Sequence, residues 1–431
     1  MKLFEMNALY RACSILLCCI LLSGWAKGNV DKKLVYPELV ETFYHKAGAP
    51  LFWFNGSLSL ELRSSFKQLL DSCEYSGLNK MRYHYLEIVT LSAPSDSSSL
   101  RQLDRLYTDA AITYFKDMYQ GYGISGLLSY DEISAKCIQA DNTYLLDKIS
   151  QVSIGKDIAA AASSLEPNMP LYGLLKTELR KQLLQGDQKK IQQLQQALNL
   201  HRWIFHFGFK KMIVVNIPAT MLKYYEDNTL QLDMKVVVGK PLTRTPRFSA
   251  YCNQVIFYPF WHVPAKIARN EMLPMIKRNP AVLDKLDIQV INASGTVVNP
   301  HSINWKKLNC SNFNYTLRQS TGCDNSLGVI KFNLTDPYSV YLHDTNFKIA
   351  FSSNRRFYSH GCIRIEKPLE LAGFLLPEKV DTTFLKACIK DHTPVINPIR
   401  EPVPIFVVYM TADVDSSNTI KYYPDVYHLL D

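Results

Sequence analysis

Near Trp203 the hydrophobic period of the chain changes from about 3.6 residues to 2, and no other feature restricts its architecture as much. Upstream, Leu62, Phe66, Leu69 and Leu70 recur at spacings suited to one helix face, as do Leu103, Leu106, Ala110, Tyr114 and Met118. Such faces must pack on one another. Downstream, Leu230, Leu232, Met234, Val236 and Val238 alternate with Gln231, Asp233, Lys235 and Val237 and stop at Gly239, as a half-buried strand would. Further strands are predicted at 212–217, 255–258, 329–332, 339–342 and 405–410, and Pro368 opens a helix with Leu369, Ala372 and Leu376 on one face. The expected fold class is α+β, an N-terminal α-helical domain followed by a mainly β domain.

Length and composition agree with that division. A chain of 431 residues exceeds one ordinary core, and 47% hydrophobic against 20% charged residues excludes extended disorder. Lys2 and Arg11 precede an apolar run at 12–22, followed by Ser23-Gly24-Trp25-Ala26, so residues 1–26 read as a secretory signal. The run is about half the ~20 residues a membrane span needs, which disfavours a retained anchor. Leu17 before Cys18 disfavours a lipoprotein signal. The mature chain is expected to be soluble and to act outside the cytoplasm. Its formal charge of +9 is dispersed without a basic block, so no nucleic-acid partner is expected.

The segment 181–198 carries seven glutamines around Leu184, Ile191, Leu194 and Leu198 and reads as a solvated helix leading out of the first domain. Residues 92–99, rich in serine, read as a loop. The stretch 267–321 reads as an excursion from the sheet. The expected layout is a signal at 1–26, a helical domain at 36–184, a helical linker at 185–207 and a mainly β domain at 208–431, with the excursion at about 267–321.

Seven cysteines remain after the signal: Cys73, Cys137, Cys252, Cys310, Cys323, Cys362 and Cys388. In an oxidising compartment six can pair, and the odd one is a candidate reactive thiol. Cys310 and Cys323 flank one region and are a candidate pair. With no Cys-x-x-Cys or His-x-x-x-His spacing, neither metal nor cofactor is expected.

Cys362 lies in Tyr358-Ser359-His360-Gly361-Cys362-Ile363-Arg364. A cysteine becomes nucleophilic when a base or positive field raises its thiolate fraction. Gly361 lets the backbone approach a carbonyl and leaves nearby amides free to form an oxyanion hole. Arg355, Arg356, Arg364 and Lys367 are close in sequence, either as that field or as a solvated basic rim. Two histidines are candidate bases. His360, two residues before the cysteine, points the same way if the segment is extended. His343 ends a predicted strand nineteen residues before it.

His343 followed after fifteen residues by Ser359-His360-Gly361-Cys362 resembles the signature of the L,D-transpeptidase (YkuD-type) catalytic domain. Val215-Asn216-Ile217-Pro218, Val237-Val238-Gly239-Lys240, Trp261-His262-Val263-Pro264, Asn325-Ser326-Leu327-Gly328 and Tyr341-Leu342-His343-Asp344-Thr345 are similar to the long periplasmic YcbB-like subgroup. A weaker likeness upstream, including Pro50-Leu51-Phe52-Trp53, suggests that subgroup's helical scaffold domain. The resemblance implies an enzyme that cleaves the L,D bond of a peptidoglycan tetrapeptide stem, holds the acyl group as a thioester, and passes it to the amine of an acceptor stem. It implies Cys362 as nucleophile, His343 as general base, Gly361 and Cys362 as oxyanion amides, and Ser359, His360 and Arg364 as shaping the site. Tyr341 and Trp261 are expected as cleft walls. Hydrolysis of the same thioester, giving an endopeptidase or carboxypeptidase, and a non-catalytic peptidoglycan-binding role are the alternatives.

Two departures stand out. The link at 171–200 has no room for the peptidoglycan-binding module often found in the subgroup, so substrate capture is expected to rest on the scaffold and the excursion. Gln319-Ser320-Thr321-Gly322-Cys323 also lacks a proline usually seen before that glycine.

Overall fold

The computed structural model describes residues 34–56, 59–90, 94, 96–134, 138–152 and 157–430. The signal at 1–26 and Cys137 lie outside them. Among the described residues no helix is long and apolar enough to cross a membrane. The chain forms two compact units, one of residues up to Glu74, Leu78–Met118 and Ala140–Leu165, the other of Tyr75–Gly77, Tyr119–Gln139 and Glu166–Asp431.

The first unit is helical, with Pro37–Ala47, Ser59–Asp71 and the start of Ser97–Gln120 among its helices. Periodicity makes the last of these amphipathic, yet its central turns are buried on all sides, and three carboxylates in it are satisfied by other segments. Asp104 accepts the amides of Phe52, Trp53 and Phe54 at 2.8–3.2 Å, and Trp53 Nε1–H donates to Thr108 at 3.0 Å. Asp109 accepts the amides of Val35 and Tyr36, both at 2.8 Å, and Asp117 accepts Arg82 Nε–H at 2.9 Å. A buried carboxylate is tolerated only with such partners.

The second unit is built on a closed sheet. Its strands are β1 (Tyr130–Asp131), β2 (Lys211–Asn216), β3 (Met221–Glu226), β4 (Thr229–Gly239), β5 (Phe248–Phe257), β10 (Ile330–Leu334), β11 (Tyr341–His343), β12 (Phe357–Ser359), β13 (Ile363–Ile365) and β14 (Val395–Val408). Nine of them run in the order β1-β5-β10-β11-β13-β4-β3-β2-β14, β12 pairs with β4, and β14 also pairs with β5, which closes the ring. Alternate residues serve two cores. Ile213, Val215, Ile405 and Val407 face the interior cluster, whereas Met212, Val214, Phe406 and Val408 pack under helices. That double burial explains the continuous apolar run in β14.

The helix covering the second face is Gln188–Phe205, and it corrects the reading of a solvated linker. Gly186, in the left-handed region, ends the helix Pro170–Gln185, after which Leu194, Ala197, Leu198, Trp203 and Ile204 are buried against β2 and β14. Even Gln193 is buried, within hydrogen-bond reach of the carbonyls of Thr411 and Tyr423.

The excursion forms a small separate sheet, ordered β6 (Trp261–His262), β9 (Thr316–Gln319), β7 (Ile288–Ile291) and β8 (Val297–Val298), with its own core around Ile276, Leu283, Val290 and Leu317. It therefore takes in Trp261 and His262, upstream of residue 267. Cys323, just after it, is disulfide-bonded to Cys388, while Cys310 is free and exposed, so the expected Cys310–Cys323 pair does not form. Thr321, at the position that lacks proline, accepts the His392 amide at 2.8 Å and ties the same junction to the 389–392 segment.

Candidate active site

The geometry follows from strand alternation. In the parallel pair β11–β13, Leu342 lies opposite Ile363, and both are fully buried in the interior core. Their neighbours therefore project to the other face: Tyr341 and His343 from β11, Arg364 from β13 and Cys362 from its entry. Cys362 is a free thiol, half-buried. In the antiparallel pair β10–β11, Lys331 lies opposite His343, and Ile330 and Phe332 beside it are core, so Lys331 joins the same face.

His343 is held in one tautomer. Its Nδ1 meets the backbone carbonyl of Asp344, which can only accept, so Nδ1 carries the proton and Nε2 keeps its lone pair. Burial, then the charge of Arg364 and more weakly that of Lys331, hold its pKa down to about 3. The carbonyl it uses is fixed in turn: the Asp344 carboxylate accepts the Val329 amide at 3.1 Å and pairs with Lys348. Burial pushes the Cys362 thiol above its ordinary value, opposed by hydrogen bonds from the amide and hydroxyl of Tyr341 and by the charge of Lys331. The sulfur lies 3.9 Å from the Ser339 carbonyl oxygen. The Tyr341 hydroxyl also faces the indole of Trp261, a residue of the excursion.

The loop before Cys362 is fastened from behind. Thr245 accepts the Gly239 amide at 2.9 Å and donates to the Gly361 carbonyl at 2.8 Å, while Thr243 donates to the Ser359 carbonyl at 3.0 Å. Gly361 has φ +128°, a conformation that side chains disfavour. Its amide donates to Ser359 Oγ at 3.1 Å, so in this conformation the Gly361 N–H is already engaged.

The positive φ at Gly361 interrupts the extended run between His360 and Cys362, and His360 has a partner in the excursion. Its Nε2 meets Glu271 Oε1 of the excursion at 2.9 Å. Of the four neighbouring cations only Arg364 faces the thiol. Arg355 is exposed, Lys367 donates to the Asp233 carbonyl at 2.9 Å, and Arg356 is buried, its guanidinium donating to the carbonyls of Val236, Ser353 and Thr220. The residues that sequence reasoning missed are Lys331, Thr245 and Asp344. Alternation in 329–332 puts Lys331 out of the core, but only the β10–β11 register brings it beside His343.

Residues 210–396 match the family model of the YkuD L,D-transpeptidase catalytic domain, and residues 38–179 that of the Scaffold domain. A Haemophilus influenzae relative, named provisionally as an L,D-transpeptidase, is 28% identical over 401 residues, 92% of this chain and 79% of that protein. Among solved structures, an L,D-transpeptidase from Mycobacterium smegmatis is 14% identical, with TM-score 0.22 over 46% of this chain and 58% of that one. L,D-transpeptidase 3 from Mycobacterium tuberculosis is 10% identical, with TM-score 0.23 over 46% and 60%. The chain thus spans three-fifths or less of those solved chains. With a YkuD catalytic domain following a Scaffold domain, the chain belongs to the L,D-transpeptidase family.

Proposed function

We propose that this chain forms peptidoglycan cross-links through a thioester on Cys362, with His343 as general base. The observation that supports this reading is the shared face of β11 and β13, from which a free thiol and an imidazole with its Nδ1–H held by a carbonyl both project. Cys362 attacks the carbonyl of the L,D bond of a donor tetrapeptide stem while its proton passes to His343 Nε2. The C–N bond then breaks, and the same proton goes to the leaving D-residue amine. An acceptor-stem amine attacks the thioester, gives its proton to His343, and leaves as a cross-linked peptide while the thiol is restored.

His343 sits among cations in a buried place, so the imidazolium is short-lived and the proton is handed on as bonds break. The Cys362 amide is positioned to stabilise the oxyanion, and the Gly361 amide joins it if Ser359 rotates away. Tyr341 and Trp261 wall the cleft, Arg364 orients the donor, and His360 with Glu271 ties the excursion to the loop. The signal at 1–26 supports action in the periplasm. Incubating the purified chain with tetrapeptide muropeptides, with and without acceptor, should give products joined through the third residues of two stems, and Cys362→Ala should give none. Products carrying water in place of the acceptor would assign the chain to the hydrolases, and turnover by Cys362→Ala would remove the thiol from the reaction.

A further inference from the structure

We propose that Lys331 reads the free carboxylate next to the scissile bond of the peptide presented to Cys362, an assignment that rests on the proposed function for its substrate. Lys331 projects from β10 onto the face that carries His343, Tyr341, Cys362 and Arg364. Its ammonium stands 4.3 Å from the centroid of the Tyr341 ring, the side chain whose hydroxyl faces the sulfur. The side chain is half-buried, and among the described residues no carboxylate lies within ion-pair distance of it or of Arg364. Asp336, the acidic group whose charge reaches Cys362, spends one carboxylate oxygen on the amides of Tyr338 and Val340.

A cation drawn out of water without a counter-ion is costly, and burial lowers the proton affinity of both Lys331 and Arg364. A ring face offsets little of that cost. The missing partner is therefore an anion that arrives with the ligand. A donor stem supplies one at the right place, since the carboxylate of its terminal D-residue is two bonds from the amide nitrogen that leaves. Lys331 thus adds to donor recognition a charge requirement that the thiol–imidazole pair alone would not impose. It would favour stems ending in a free carboxylate over amidated ones.

Cys362 can be tested without any peptide. Iodoacetate and iodoacetamide consume the same thiolate, so their rate ratio cancels the thiolate fraction and reports only attraction of the carboxylate. The rates are read by peptide mass mapping without reductant, and the exposed free Cys310 is the internal reference. At Cys362 of the full chain the iodoacetate-to-iodoacetamide ratio should exceed that at Cys310 by roughly tenfold, the effect of one charge-assisted contact. Lys331→Met should bring it to the Cys310 level, and Lys331→Arg should restore it. Lys331→Gln repeats the test if the methionine variant does not fold. A ratio unchanged in Lys331→Met and Lys331→Gln overturns the proposal. With donor stems, Lys331→Met should raise KM for the free-acid donor about tenfold and leave the C-terminal amide donor unaffected. A charge-dependent ratio in an enzyme that turns over neither donor would keep the anion site and refute the peptide substrate. Equal KM effects on both donors would refute the carboxylate assignment while leaving the reaction in place.

Discussion

The Asp344 carboxylate occupies the space that a Cβ on residue 328 would need, so it and Gly328 fit together only because residue 328 has no side chain. Gly328 also has φ +58°, a region costing other residues about 1–2 kcal/mol. Asp344 carries the carbonyl that orients His343, so a residue fifteen positions upstream controls the imidazole. Gly328→Ala should lower stability by roughly 2 kcal/mol or more and, in the folded fraction, cut acylation of Cys362 by a tetrapeptide donor stem more than tenfold. Stability is read by thermal melting and acylation by intact mass. Wild-type acylation in a folded Gly328→Ala would show that Asp344 does not set the imidazole.

Arg356 is a structural residue despite lying six positions from the thiol. Its guanidinium donates at 3.3, 2.7 and 3.2 Å to three carbonyls, those of Val236, Ser353 and Thr220. Removing it deletes three hydrogen bonds at about 1 kcal/mol each, although the Thr220 carbonyl keeps the Val236 amide at 2.9 Å. Arg356→Met should therefore lose roughly 3 kcal/mol in urea denaturation while the iodoacetamide rate at Cys362 in the folded state stays within about twofold of wild type. A large change in that rate without loss of stability would return Arg356 to the field around the thiol.

The barrel strands were legible wherever one face is polar, as in the first half of β4, and the pairing of Tyr341 and His343 with Cys362 follows from alternation once the β11–β13 register is known. Sequence proximity misled at Arg356, whose guanidinium is buried on the carbonyls of Val236, Ser353 and Thr220. At His360 the extended segment assumed from sequence is interrupted by one positive φ at Gly361. Lys331 was illegible for the opposite reason: it lies twelve positions before His343, and only pairing across β10 and β11 makes them neighbours. The glutamines of 181–198 suggested solvent, but composition cannot show that a helix lies between a sheet face and buried carbonyls such as that of Thr411.

The Cys323–Cys388 disulfide joins residues 65 apart and clips the segment after the helix Thr382–Lys386 to the junction below the excursion. In the loop-entropy account a closure of that length stabilises by about 4 kcal/mol. Cys323→Ser, Cys388→Ser and the double variant should all melt lower than wild type, the double no worse than the singles, because each removes the same bond. Non-reduced peptide mapping should show 323 linked to 388 and Cys310 alkylated. Equal melting of all variants under oxidising conditions would mean that the Thr321 and His392 contacts hold the junction unaided.

The two pKa shifts at the site act in opposite directions and have the same consequence. Burial raises the thiol of Cys362, and burial with Arg364 lowers the imidazole of His343 to about 3, so the resting pair is thiol and neutral imidazole rather than an ion pair. Alkylation of Cys362 by iodoacetamide should climb with pH through the neutral range, about tenfold per unit, without levelling below the ordinary thiol value. A preformed thiolate–imidazolium pair would instead give a plateau at acid pH, and that plateau would refute the neutral pair. Linkage adds a second reading. The unfolded chain binds a proton at residue 343 below about pH 6.5, whereas the folded chain does not until about pH 3. Stability should therefore fall as pH falls through that window, and His343→Gln should flatten part of the fall. Because His343 stays neutral down to about pH 3 and takes the thiol's proton during the attack, acylation by a donor stem should stay level on the acid side where alkylation falls, and superimposed acid limbs would instead show that acylation draws on preformed thiolate.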